Sequence, residues 1–138
     1  MVSSSDWFLR KFLARAGTVR NLLLVPHAQE RIVSEVSNWE GVESAPHRFG
    51  GTEFKLGRRE IGHIHGDYQA DIAFPMEVRN KLVEEKRAEP HHILPKSGWI
   101  TFRFRKESDI DSAIALFRLS YEIAKERKNI KSEVASPQ

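Results

Sequence analysis

The chain contains no cysteine in its 138 residues. Disulfide bridges, thiolate nucleophiles and cysteine-ligated zinc or iron–sulfur centres are therefore excluded. The sequence also lacks any uninterrupted apolar run that approaches the roughly 20 residues of a transmembrane helix. Arg10, Lys11 and Arg15 interrupt the apolar region that a signal peptide would need. We expect a cytoplasmic protein, because the lack of cysteine also fits a reducing compartment.

The excess of positive charge is small. Lysine and arginine together number 22 and aspartate and glutamate 19, which gives a formal net charge of +3 at pH 7. The surplus lies mainly at the two ends of the chain, where basic residues are usually solvated. A nucleic-acid partner is not expected, because no recognition motif accompanies the charge. With 40% hydrophobic and 30% charged residues, the composition is that of an ordinary globular protein.

The arrangement of apolar, charged and turn-forming residues divides the chain into three parts. The pattern of residues 5–16 predicts a basic amphipathic helix. We expect this helix to pack on the domain, and the alternative role is weak contact with a membrane surface. Pro26 suits the first turn of a second helix. We predict an N-terminal helix and connector over residues 1–25, a folded domain over 26–125 and a polar, flexible tail over 126–138.

Short alternating runs punctuated by glycine replace the helical pattern from Val42 onward. Pro75 opens a further helix, and an apolar stripe predicts a long helix from Ser108 to about Lys125. The predicted strands lie near residues 42–49, 52–56, 59–65, 69–73 and 99–104. This order of elements predicts a single α+β domain with a mainly antiparallel sheet of about five strands, packed against helices, and a long C-terminal helix.

Two histidines stand one residue apart in the third predicted strand. His63 and His65 project from the same face of that strand, because side chains alternate with a period of two. Gly66 and Asp67 predict a turn that brings Asp71 close to His63 on the next strand. Two imidazoles and a carboxylate on one surface can bind Fe(II) or another divalent metal. We expect no bound metal. If a metal does bind, its expected ligands are His63, His65 and Asp71.

A second polar cluster, His91 and His92, precedes the last predicted strand. One interpretation needs no metal and makes His63 or His91 a general base that Asp71 orients. Arg103 would then stabilise developing negative charge. Histidines that merely hydrogen-bond to turns or to aspartate are an equally open alternative.

A longer pattern of residues links these clusters. It consists of Phe49, Glu60-Ile61-Gly62-His63-Ile64-His65-Gly66-Asp67, Asp71, Phe74-Pro75, Val78-Arg79, Leu82, Glu89-Pro90-His91-His92, Ser97-Gly98-Trp99, Asp111, Ala113, Ile114, Leu119 and Tyr121. In this pattern, over roughly residues 26–125, the chain resembles the luciferase-domain family of small bacterial and archaeal proteins. That family is named for its similarity to fungal luciferase.

The resemblance implies a small-molecule-binding domain with a histidine-rich pocket and oxygenase-type chemistry that needs no cofactor. Fungal luciferase looks like an oxygenase that adds O2 to a hydroxypyrone without a known metal or organic cofactor. Deprotonation of an enol-type substrate would then fall to the histidines. The expected catalytic residues are His63, His65, Asp71 and His91, and the expected substrate-binding residues are Trp99, Arg103, His92 and Asp67.

Two other functions stay open alongside this one. The first is a non-catalytic binding or structural module whose histidines stabilise turns. The second is a metal-dependent oxygenase or hydrolase that uses the His-x-His pair with an aspartate. If the protein is an enzyme, only the resemblance indicates that it is oxygenase-like. No feature of the sequence identifies its small-molecule ligand or its oligomeric state.

Overall fold

A computed structural model of the chain describes residues 24–135. The helix predicted over residues 5–16, and with it the suggested membrane contact, lies outside the described residues. The described helices are α1 (Ala28–Ser37), α2 (Met76–Glu84) and α3 (Ser108–Ala135). The strands are β1 (Val42–Pro46), β2 (Thr52–Leu56), β3 (Arg59–His65), β4 (Gln69–Ala73), β5 (Glu89–Pro90) and β6 (Trp99–Arg103).

Within this part of the chain, six strands form one antiparallel sheet in the order β1-β2-β3-β4-β6-β5. Short turns connect β1 to β4 in sequence, and the chain then passes through α2 and β5 before β6 pairs with β4. The sheet and the long C-terminal helix confirm the predicted α+β class. The short strand β5 is not among the predicted strands, because its two residues are too few to show alternation.

The hydrophobic core lies between the sheet and the pair α1 and α3. Phe54 on β2 and Phe117 on α3 meet edge to face, with ring centroids 5.3 Å apart. Gly62 on β3 lets α3 come close, because a Cβ atom there would lie only 2.7 Å from the Phe117 ring. The Ser120 hydroxyl donates to the Ala73 carbonyl oxygen at 2.7 Å and so ties α3 to β4. The opposite face of the sheet carries the polar side chains of the candidate site.

A β-bulge in β3 changes which of its side chains share a face. Glu53 on β2 pairs with His63 on β3. Lys55, on the same face as Glu53, pairs with Glu60, so one residue of β3 is extra. Glu60 therefore lies on the face of His63, although it precedes His63 by three positions, a spacing that puts two residues on opposite faces of a regular strand. The intervening Ile61 turns into the core, where it is fully buried.

The C-terminal helix α3 extends to Ala135, past the end predicted near Lys125. Its buried residues stop at Ala124, where the apolar stripe also stops. The remainder is exposed and rich in lysine, arginine and glutamate, which favour the helix without packing. The predicted end is wrong because the stripe marks the end of packing, not of the helix. Neither α3 nor any other described helix is long and apolar enough to cross a bilayer.

The substitution Gly62→Ala tests the close approach of α3 to the sheet. The new methyl group would lie 2.7 Å from the Phe117 ring and 2.8 Å from the Asp71 carbonyl oxygen, so the backbone must shift. We expect the free energy of unfolding to fall by about 1–3 kcal/mol, the usual cost of overpacking. Urea denaturation followed by circular dichroism measures this change.

The control is Glu126→Ala, on the exposed part of α3. It should change the free energy of unfolding by less than about 0.5 kcal/mol, as surface substitutions usually do. An equally small effect of Gly62→Ala would contradict the described packing.

Candidate functional site

A row of polar side chains crosses the sheet on the face opposite α1 and α3. The strand registers align Glu53, His63, Asp71, Thr101 and Glu89. The pairing of His63 with Asp71 confirms that these two residues are neighbours across β3 and β4, as predicted. Thr101 lies on the site face, while its neighbours Ile100 and Phe102 belong to the core or pack against it. The alternation of side chains expected of the last predicted strand is therefore confirmed.

Asp71 is the centre of this row, and it is fully buried. One carboxylate oxygen, Oδ2, lies 3.0 Å from Nε2 of His65 and 3.2 Å from Nε2 of His63. The other oxygen, Oδ1, accepts a 2.7 Å hydrogen bond from the Thr101 hydroxyl. Nε2 of Gln69 lies 3.3 Å from both oxygens. The carboxylate is thus held by imidazoles on one oxygen and chiefly by a neutral donor on the other.

The loop after β5 brings two more imidazoles to the carboxylate. Nε2 of His91 lies 3.7 Å from Oδ2 of Asp71, and Nδ1 of His92 lies 3.5 Å from Oδ1. The backbone N–H groups of Ile93 and Leu94 donate to Nδ1 of His91 at 3.1 and 3.0 Å. A ring nitrogen that accepts hydrogen bonds carries no proton, so the proton of His91 sits on Nε2. Burial lowers the pKa of His91 and favours this neutral ring.

His63 lies between two carboxylates. Its Nε2 is 3.2 Å from Asp71 and its Nδ1 is 2.9 Å from Oε1 of Glu60. Burial disfavours the charged ring, but hydrogen bonds to Asp71 and Glu60 outweigh that effect and raise the pKa of His63 to about 9. Burial also disfavours the charge on Asp71, yet its hydrogen bonds, first that from His63, hold the pKa of this carboxyl well below its usual range. At neutral pH the two form an imidazolium–carboxylate pair.

Aromatic rings shield the histidines without closing the site. The His47 ring stacks on His63, with centroids 4.0 Å apart and planes 18° apart. Burial, followed by the nearby His63, lowers the pKa of His47. The Trp99 ring centroid lies 5.4 Å from that of His63. The side chains of His65 and His92 keep 15% and 33% of their surface exposed, so the cluster remains accessible from the sheet face.

Six of the predicted site residues converge: His63, His65, Asp71, His91, His92 and Trp99. Arg103 reaches the cluster only indirectly, because it donates to Oε1 of Gln69 at 2.7 Å and to Glu89 at 3.2 Å. Asp67 accepts the backbone N–H of Gln29 at 2.9 Å, at the start of α1. The structure gives this carboxylate an anchoring contact, and a substrate-binding role for Asp67 stays a prediction.

The site also contains residues that are not among the predicted ones. Gln69 and Thr101 lie on the face of Asp71 by simple strand alternation, so their positions were within reach of the sequence pattern. Glu60 is different, because the bulge in β3 reverses its face. His47 falls within the predicted strand 42–49, but β1 ends at Pro46. His47 therefore lies in the turn after β1, where no periodicity predicts the direction of a side chain.

Exposed apolar side chains flank the cluster. Phe49 is 70% exposed, and its ring centroid lies 5.6 Å from that of His47. Ile93 and Leu94 are 70% and 52% exposed, and they belong to the loop whose N–H groups hold His91. A polar cluster next to apolar side chains is a combination typical of small-molecule sites.

The fold and the site together define a class: an antiparallel α+β domain with a buried histidine–aspartate cluster on one sheet face. Residues 58–120 match the family model described as Luciferase domain, which confirms the resemblance to that family noted in the sequence. The matched stretch contains His63, His65, Asp71 and His91, whereas His47 lies outside it. Comparison with the curated proteins and with the solved structures gave no match.

The substitution His63→Gln tests the imidazolium–carboxylate pair. Folding raises the pKa of His63 from 6.5 to about 9. The charged ring therefore stabilises the folded state fully below about pH 6, and this contribution is lost as the pH rises through about 9. Glutamine lacks this stabilisation at every pH. The unmodified protein and His63→Gln should therefore differ in free energy of unfolding by about 3 kcal/mol less at about pH 10 than at about pH 6. Urea titrations of metal-free protein measure this difference.

The matched control is His27→Asn, which removes an exposed imidazole at the start of α1, outside the cluster. Its effect should stay below about 0.5 kcal/mol over the same range. A difference between the unmodified protein and His63→Gln that stays constant, or widens with rising pH, would show that His63 is not charged by this pair.

Proposed function

We propose that this chain is a small-molecule-binding domain of enzyme type, and that its ligand binds at the sheet face around Asp71. One observation carries the proposal, the convergence of four imidazoles within 3.7 Å of a single buried carboxylate: those of His63, His65, His91 and His92. Stabilising the fold alone does not require so many titratable groups around one buried charge. Such clusters are typical of sites that transfer protons or bind ligands.

The surroundings of the cluster favour a ligand with an apolar body and an oxygen-bearing polar group. Trp99, Phe49 and Ile93 offer apolar surface beside the histidines. Nε2 of His91 carries a proton and lies 3.7 Å from Asp71, which is too far for a hydrogen bond. This N–H group is therefore available to an oxygen atom of the ligand.

We propose an oxygenase-type reaction on the basis of the family resemblance. In such chemistry an enol-type ligand first loses its proton. His63 faces a carboxylate from each ring nitrogen, and Nδ1 of His91 already accepts backbone hydrogen bonds. Neither ring offers a free lone pair for a general base. In the proposal, the enol gives its proton to bulk water and the ligand binds as the enolate. His91 then donates a hydrogen bond that stabilises the negative charge on the ligand.

A structural role for the histidines is the second candidate function. His63 and His91 are each only 8% exposed, and both ring nitrogens of His63 and Nδ1 of His91 have partners within the protein. A module of this kind would bind no small molecule at the sheet face. Removal of an imidazole would then lower stability and change nothing else, so ligand binding separates the two candidates.

Titration with benzoate and with a hydroxypyrone, followed by NMR, tests the proposed function. Both probes join an apolar ring to an oxygen-bearing group, a carboxylate in the first and an enol in the second. We expect saturable shifts centred on His65, His91 and Trp99 with at least one of them. The substitution His91→Ala should weaken that binding about fivefold, because one hydrogen bond contributes about 1 kcal/mol.

The control for this titration is His27→Asn, in a groove of about 600 Å³ that lies beside α1 and that Val33, Thr52 and Asp67 also line. It should leave the affinity for the probe unchanged. Shifts centred on that groove, or no saturable shift with either probe, would refute a ligand site at the sheet face.

A further inference from the structure

We propose that the cluster binds one divalent first-row transition-metal ion through Nε2 of His63, Nε2 of His65 and Oδ2 of Asp71. The inference rests on the ligand site proposed above and gives that site a cofactor. Imidazole nitrogens and a carboxylate oxygen form a ligand set that suits such ions, Fe(II) among them. Three ligands on one face leave further coordination positions open, where an oxygen atom of a small molecule can bind.

Two of the three separations between these atoms already match those of metal ligands. Oδ2 of Asp71 lies 3.2 Å from Nε2 of His63 and 3.0 Å from Nε2 of His65, and all three atoms lie within 4.8 Å of one another. Bonds of about 2.1 Å separate neighbouring ligand atoms by about 3.0–3.4 Å in octahedral or tetrahedral geometry. The two separations from Oδ2 therefore already suit a bound ion.

The groups behind the ligands hold them in the orientation that a metal ion needs. Oε1 of Glu60 lies 2.9 Å from Nδ1 of His63, so Nδ1 can donate to the carboxylate while Nε2 directs its lone pair to the ion. Thr101 donates to Oδ1 of Asp71 and leaves Oδ2 for the ion. Carboxylates and hydroxyls behind the ligands are a regular feature of metal centres.

The charge around Asp71 also favours a cation. In the described part of the chain, no lysine or arginine contacts this fully buried carboxylate. Arg103, the guanidinium at the rim, binds Gln69 and Glu89 instead. The partners that can carry positive charge beside Asp71 are imidazoles, and an imidazole can exchange its proton for a divalent ion that takes over this charge.

Two overlapping sets also bring three potential ligand atoms together: His47 with Glu60 and His63, and Asp71 with His91 and His92. In the first set, Nε2 of His47 lies 3.9 Å from Glu60, wider than neighbouring ligand atoms. In the second, Nε2 of His91 keeps its proton, because Nδ1 accepts two backbone hydrogen bonds. His65 belongs to the proposed set alone, so its substitution separates the three.

Titration with Co²⁺ tests the inference on protein that carries no affinity tag and has been freed of metal with a chelator. The visible absorption of Co²⁺ reports its coordination, and calorimetry with Zn²⁺ gives the stoichiometry. We expect one ion per chain. The substitution His65→Ala should weaken binding at least tenfold because it removes a ligand, and Glu60→Gln should weaken it about tenfold by acting through His63.

The matched controls are His92→Ala and His27→Asn. The first removes an imidazole of the rival set around His91, and the second removes an exposed one outside the cluster. Both should keep the Co²⁺ affinity of the unmodified protein. Circular dichroism checks that each variant folds, and His65→Asn replaces His65→Ala if the latter does not.

The inference is wrong if no one-to-one Co²⁺ complex forms, or if the His65 and Glu60 variants bind Co²⁺ as tightly as the unmodified protein. Its failure is distinct from failure of the proposed function. Binding of benzoate or the hydroxypyrone at the sheet face without Co²⁺ binding would leave the ligand site and remove the metal. Co²⁺ binding that depends on His65, with no probe bound in its presence or absence, would leave the metal and remove the ligand site.

Discussion

The burial of one carboxylate at the centre of an antiparallel sheet is the constraint on which the rest of the site depends. Asp71 needs partners there, since an unpaired buried charge costs several kcal/mol. Strand pairing supplies them from both sides, with His63 on β3 and Thr101 on β6. The loop after β5 adds His91, so separate stretches of the chain meet at one side chain. The geometry of the site and the stability of the sheet are therefore coupled.

The histidines around Asp71 differ because each meets a different second partner. Glu60 holds His63 from behind and favours its charged form, and the bulge at Ile61 is what brings that carboxylate onto the site face. Backbone N–H groups hold His91 and favour its neutral form. One carboxylate is thus surrounded by both charged and neutral imidazoles, a mixture suited to a site that must accommodate changes of charge.

The positions of His63, His65 and Asp71 could be predicted from the sequence, because strand alternation and a short turn place these three side chains on one surface. Glu60 was beyond that reasoning, since a bulge cancels the alternation that separates it from His63. His91 was named from the second histidine cluster and from the family resemblance, because no periodicity positions a loop. Asp67, a turn carboxylate close in sequence to the histidines, contacts the start of α1, and its predicted role in substrate binding stays a prediction. The sheet itself was predicted closely, apart from a strand too short to show a pattern.

The central claim is that Asp71, together with a second partner of each ring, sets the protonation of the imidazoles, and a nitrogen NMR spectrum of the imidazoles tests it most directly. The measurement uses metal-free protein near neutral pH, where free imidazoles exchange rapidly between their forms. The account predicts that His63 is protonated on both nitrogens and that Nδ1 of His91 carries no proton. A neutral His63, or averaged free-imidazole shifts for both residues, would contradict it.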